Sequence, residues 1–209
     1  ALDQDAAVPA PVEDPDAAPV LKTMCRDFEA DPPPVAQAQV RFRCGGTDNR
    51  GVWIDASRRD IENLFVEKVW LDRTLARGWI LELGQRGEAA IEGPDGPKLA
   101  PATPHAWLPS FDRAGNAIPL RSTIAAFSQP GPRANRALIA AAFEILDASG
   151  IGRLRWFEWG AGYGNLTAAI FSRLGGDGTA TEASIAAILE ENGREFFPSI
   201  RTARRSAEA

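Results

Sequence analysis

Glu158-x-Gly160-x-Gly162-x-Gly164 sets a carboxylate ahead of three glycines at alternate positions, and Glu182 follows eighteen residues after the last glycine. Glycines at the carboxyl end of a strand let backbone approach a ligand and let the next helix begin without a side-chain clash. An acidic residue at the end of the second strand points at the same crevice and can accept hydrogen bonds from both hydroxyls of a ribose. The spacing departs from the dinucleotide signature GxGxxG, and no GK[ST] follows that would hold a triphosphate. The pattern therefore predicts a nucleoside ligand without a pyrophosphate, and S-adenosylmethionine is the common ligand of that description. The turn would pass under its amino-acid and sugar portions, with Glu158 toward the ammonium and Glu182 on the ribose. Three spaced glycines alone also fit a plain turn, and Glu182 alone fits a surface residue at a strand end. Their shared setting carries the cofactor reading.

That setting is an order of elements. "PRANRALIAAAFEILDASG" has helical periodicity, with Pro132 in the first turn, Ala134, Leu138, Ala141 and Ile145 on one face, and Gly150 at the end. A strand over "RLRWFEW" comes next, then the glycines, a helix through "LTAAIFSRL", a strand around "GTATE" and a helix from Ser184 through "IAAILEENG". This order predicts the opening half of a doubly wound, Rossmann-like α/β sheet. Trp156 and Trp159, beside the motif, are expected to pack the strand and not to stack on bases.

Upstream, residues 38 to 122 read as a small α+β domain. "AQVRFRC" and "RGVWID" alternate around a turn and predict a hairpin. "SRRDIENLFVEKVWLDRTLARG" predicts one amphipathic helix, N-capped by Ser57 and ended by Gly78. "WILELG" and "GEAAIEG" predict short strands, with a turn at "GPDGP", and residues 101 to 123 read as loops around a "DRAGN" turn. Residues 1 to 30 are expected to be a disordered acidic linker rich in Pro and Ala.

The chain has 209 residues, 44% of them apolar, enough to bury a core. Its formal net charge is −5, and the five acidic residues among positions 1 to 20 account for all of it, so the body is neutral. A neutral body gives no general attraction to nucleic acid, and any RNA contact must be local. The groups Arg121, Arg133, Arg136 and Arg194, Arg201, Arg204, Arg205 are the candidates, although such runs are commonly solvated surface. Cys25 and Cys44 are too far apart for a CxxC pair and read as ordinary thiols, and His105 has no second ligand near it, so no metal site is expected. The absence of an export signal or long apolar segment favours a cytoplasmic protein with no membrane partner, and a monomer is expected.

"RSTIAAFSQPGPRANRALIAAAFEIL" followed by "EWGAGYGNLT" resembles the junction into the cofactor domain of the RNA (uracil-C5-)-methyltransferases. In that family a Phe-x-Gln segment and a helix lead to a motif similar to Asp-x-x-Cys-Gly-x-Gly-Asn-(Phe/Leu)-(Ser/Thr). Glu158, Gly162, Gly164, Asn165, Leu166 and Thr167 match it, and "TE" at Thr181 and Glu182 is similar to the family's second-strand end. The resemblance covers residues 120 to 190 well and 38 to 100 loosely. It implies cofactor contacts from Phe127 or its neighbours, Gln129, Glu158, Gly160, Gly162, Gly164, Asn165 and Glu182. Pro130 and Gly131 depart from the family's Val-Asn, Glu158 from its Asp, and Ala161 from its motif cysteine, while the cysteine spacing of an iron–sulfur segment is lacking.

Methylating uracil at C5 calls for a thiolate that adds at C6 and a base that later removes the C5 proton. The resemblance places both on later strands, so the catalytic residues are expected beyond residue 209, and residues 153 to 209 are expected to supply only two parallel strands. The chain then reads as an amino-terminal fragment of an enzyme that methylates C5 of uridine in rRNA or tRNA, inactive by itself. A methyltransferase of a protein or small molecule, and a non-catalytic binding module, are the alternatives.

Overall fold

The computed structural model describes residues 17–45, 49–128, 131–150 and 155–204. In chain order the elements are α1 (Ala17–Ala30), β1 (Ala38–Cys44), β2 (Arg50–Ala56), α2 (Arg58–Glu67), α3 (Val69–Ala76), β3 (Ile80–Leu83), β4 (Glu88–Ile91) and β5 (Lys98–Pro101). Four two-residue strands follow, β6 (His105–Ala106), β7 (Ser110–Phe111), β8 (Ala117–Ile118) and β9 (Arg121–Ser122). The last part holds α4 (Pro132–Ala148), β10 (Trp156–Trp159), α5 (Asn165–Leu174), β11 (Gly178–Glu182), α6 (Ala186–Phe196) and β12 (Arg201–Arg204).

Strands β1 to β5 form a mixed sheet in sequence order, antiparallel except where β2 and β3 run parallel. The parallel step needs a crossover, and α2 and α3 supply it. Because side chains alternate along a strand, Val52, Ile54, Leu81 and Leu83 face one way and pack with Met24, Phe28, Ile61, Leu64, Trp70 and Leu71 of the three helices. The other face meets the 105–128 segment. A Cβ on Gly51 would lie 2.5 Å from Trp107 Cη2 and 2.7 Å from Ile124 Cδ1, so a glycine is what lets that segment lie against the sheet.

Several local expectations are corrected by tertiary packing. Residues 17–30 are not linker: α1 buries Met24 and Phe28 in the first core, and residues 1–16 lie outside the described part. The helix expected over 57–78 is two, because Lys68 takes φ 55° and turns the chain. That turn brings Trp70, which lies off the stripe of Ile61 and Leu64, into the core, with its indole N–H donating to Asp31 O at 2.8 Å. Ser57 does cap α2, accepting from Asp60 N. Residues 101–123 contribute strand pairs β6–β9 and β7–β8 on either side of the "DRAGN" turn.

Strands β10, β11 and β12 form a parallel sheet in sequence order, with α5 and α6 as the connections. The third strand, β12, corrects the expectation of two. Ala180, Leu189, Phe197 and Ile200 fill the core of this sheet together with Leu120. Helix α4 is turned away from its expected face: Leu138 and Ile145 are exposed, while Asn135 and Ile139 are buried. Its apolar residues run almost continuously, so periodicity does not single out a face, and the buried Asn135 decides the orientation by pairing with Asn165.

Candidate functional site

The glycine-rich turn, the ends of β10 and β11, the first residues of α6, the segment 123–128 and the β3–β4 turn at Gln85, Arg86 and Gly87 surround a cleft of about 770 Å³. A cleft of this size lies within the range that holds a small molecule or cofactor. Glu158, Gly160, Gly162, Asn165 and Glu182 all line it. Gln129 lies outside the described residues.

The three glycines do different work. All have positive φ, at 69°, 60° and 97° for Gly160, Gly162 and Gly164, a conformation costly for a residue with a Cβ. A Cβ at Gly160 or Gly162 would meet no atom within 4 Å, so these two present bare backbone to open space. At Gly164 it would sit 2.7 Å from Phe197 Cζ, which makes that glycine a packing residue where α5 meets the core.

Glu182 pins the turn. Its Oε2 accepts from Gly162 N at 2.9 Å, and its Oε1 accepts from Ala183 N, Ser184 N and Ser184 Oγ at 2.8, 2.9 and 3.0 Å. Burial opposes ionisation here, but the donors at Ser184, Gly162 and Ala183 outweigh it and hold the carboxyl below its usual range. Oε2 carries only one of these four bonds, so its second lone pair has room for one hydroxyl from the cleft.

Glu158 is the opposite case. Among the described residues, Thr167 Oγ1 at 2.5 Å is its carboxylate's one hydrogen-bond donor. Burial pushes its pKa up to about 7, with the Thr167 bond pulling weakly the other way. A half-buried carboxyl with one donor is short of positive charge, and an ammonium group is a fitting partner.

Asn165 faces inward. Its Nδ2 donates to Asn135 Oδ1 at 2.6 Å while its Oδ1 accepts from Asn135 Nδ2 at 3.0 Å, and its carbonyl accepts from Ser110 Oγ at 2.6 Å. The side chain expected to touch a cofactor thus joins α4 to α5 beneath the cleft. Asn192 plays a similar part for the turn itself, with Nδ2 donating to Tyr163 O at 2.8 Å and to Arg121 O at 2.9 Å.

Pattern reading missed the opposite wall. Arg41 and Arg43 of β1 and Glu82 of β3, brought together on the back of the first sheet, hold the segment 122–128 that lines the cleft. Burial lowers the pKa of Arg43 to about 10, with Tyr163 and Glu82 opposing. Burial likewise pushes Glu82 up, against the Ile124 and Ala125 amides and the two arginines. The alternation in "VRFRC" and the lone acid in "ILEL" were the only signals, but neither says what the charges face. Phe127 stands 78% exposed at the cleft, and Tyr163 O–H is buried with no hydrogen-bond partner among the described residues.

Elsewhere, Trp156 packs on Gly178, whereas Trp159 is 56% exposed beside Phe157, with their ring centroids 5.8 Å apart. Arg121 pairs with Glu191 and Glu195, and Arg136 sits over the Phe111 ring at 3.9 Å. Cys25, Cys44 and His105 do not line the cleft. Among the described residues, no helix is long and apolar enough to cross a membrane.

These features describe a mixed α/β chain with a cleft at the carboxyl ends of parallel strands. No family model matches the chain. Over 151 residues, 71% of its length, it is 31% identical to an uncharacterized RNA methyltransferase of Bdellovibrio bacteriovorus. The match spans 37% of that relative, so the chain corresponds to little more than a third of the curated protein it resembles.

Proposed function

We propose that this chain is the cofactor-binding part of an S-adenosylmethionine-dependent RNA methyltransferase. The observation that carries the reading is the pairing of two carboxylates of opposite character across bare glycine backbone: Glu158, protonated until about pH 7, and Glu182, ionised and bound to the turn. In this reading the methionyl ammonium rests against Glu158, one ribose hydroxyl against Glu182 Oε2, and the amino-acid portion passes over Gly160 and Gly162. When bound, the cofactor supplies an electrophilic methyl group. The residues of this chain bind and orient it. The RNA methyltransferase of Bdellovibrio supports RNA as the substrate class.

The finer assignment, methylation of uridine C5 in rRNA or tRNA, rests on the motif around Glu158 to Thr167. Because neither cysteine lines the cleft, a C5 mechanism requires a nucleophile and base supplied by another part of the whole protein. Among the described residues β10 pairs on one side only, with β11, which supports further strands pairing at its other edge in the whole protein, and with them a Rossmann-like sheet.

Calorimetric titration with S-adenosylhomocysteine tests the cofactor reading. Binding is expected for the wild-type chain and strong weakening for Glu182→Ala and Gly162→Val. Unchanged affinity in both variants would refute the site. Nucleoside analysis of RNA treated with the whole gene product tests the C5 assignment, and a methylated nucleoside other than 5-methyluridine would refute it.

A further inference from the structure

Residues 123–128 belong to no helix or strand, yet Ile124 is fully buried and Ala126 nearly so. Buried backbone without a ladder must find its hydrogen bonds elsewhere. Here they come from the first sheet. The guanidinium of Arg43, itself 9% exposed, donates to Thr123 O at 2.9 Å, Ala126 O at 2.7 Å, Ser122 Oγ at 3.2 Å and Ser128 Oγ at 2.9 Å. From β3, the carboxylate of Glu82 accepts from Ile124 N at 2.7 Å and Ala125 N at 3.0 Å. One planar fork gathers acceptors spread over seven residues while one carboxylate gathers two successive amides, and together they set both the position and the curvature of the segment.

Ser122 and Ile124 turn toward the sheet, whereas Thr123 and the run from Ala125 to Ser128 line the cleft. Arg43 and Glu82 stand behind this wall and do not line the cleft themselves.

We infer that Arg43 and Glu82 are positioning residues for cofactor binding: they hold the 122–128 wall against the glycine turn, making the first sheet a working part of the cofactor site. The inference rests on the cofactor reading of the cleft. An unlatched wall would have to be ordered by the ligand on binding, and that ordering lowers affinity without removal of any ligand contact.

The test uses the full 209-residue chain and S-adenosylhomocysteine as the probe, with Kd from calorimetry for wild type, Arg43→Met, Arg43→Lys and Glu82→Gln. Arg43→Met is expected to weaken binding roughly tenfold and Glu82→Gln roughly fivefold, as loss of preorganisation predicts. Arg43→Lys, which keeps the charge and part of the hydrogen bonding, should recover some of the affinity lost in Arg43→Met. Amide exchange supplies a readout that general destabilisation would not give. Ile124 and Ala125 should exchange faster in the variants and regain protection with ligand, while Leu81 and Leu83 keep theirs. Glu82→Gln preserves side-chain volume and carries the test if Arg43→Met does not fold. Wild-type affinity and unchanged Ile124 and Ala125 exchange in the folded variants would overturn the latch and leave the cofactor reading standing. No binding by the wild-type chain would overturn the cofactor reading itself, and the latch with it.

Discussion

Lowering the pH through 7 should release an ammonium-bearing ligand from this cleft, because Glu158 then takes up a proton. In the free protein its carboxyl has a pKa of about 7, set by burial against one Thr167 hydrogen bond. An ammonium binds the ionised form, so each pH unit below that value costs about 1.4 kcal/mol. Between about pH 7.5 and about pH 5.5 the ionised fraction falls roughly 25-fold, and Kd should rise by the same factor, about 2 kcal/mol. The assay is calorimetry with S-adenosylhomocysteine across this range. Two controls isolate the group: Glu158→Gln, whose affinity should be lower at neutral pH and nearly flat with pH, and 5′-methylthioadenosine, which lacks the ammonium and should bind with little pH dependence. A wild-type Kd constant from about pH 5.5 to about pH 7.5, or an equal slope in Glu158→Gln, would refute the placement of the ammonium against Glu158.

The same carboxyl also links pH to stability. Its folded pKa is raised above the ordinary 4.5, so its stabilising contribution is present at low pH and lost as pH rises toward about 7. In denaturant melts without ligand, Glu158→Gln should therefore gain up to about 3 kcal/mol over wild type as pH rises through this window. Gly164→Ala should destabilise by about 2–4 kcal/mol, since its Cβ would meet Phe197 Cζ at 2.7 Å in a left-handed backbone. Gly162→Ala, with no neighbour to strike, should cost only about 1–2 kcal/mol in the same melts while weakening ligand binding. Asn165→Ala leaves the buried Asn135 amide without its reciprocal partner, and a loss of about 2–3 kcal/mol is expected, with a double-mutant cycle against Asn135→Ala showing strong coupling.

Where neighbours in sequence are neighbours in space, the chain's own pattern was a good guide. The β1–β2 hairpin, the Ser57 cap, and the succession of β10, glycine turn, α5, β11 and α6 all follow from alternation, helical spacing and turn residues acting over a few positions. So does the convergence of Glu158, Gly162 and Glu182, because adjacent parallel strands must end on the same side. The misses share one cause. Helix α1 in an Ala- and Pro-rich stretch, the break at Lys68 and the orientation of α4 are each decided by a partner elsewhere: the first core, Trp70 reaching Asp31, and Asn135 meeting Asn165.

By itself, then, the sequence determined which glycine turn and which two carboxylates would line one cleft. Only the tertiary structure decided how those groups differ. Burial leaves Glu158 short of donors while backbone amides surround Glu182. It also decided that Asn165 turns away to Asn135, and that the far wall is held by Arg43 and Glu82, roughly forty to eighty residues earlier in the chain. A residue's type and spacing announce what it can donate or accept; its pKa and its partners depend on what the fold packs around it, and most of that arrives from distant segments.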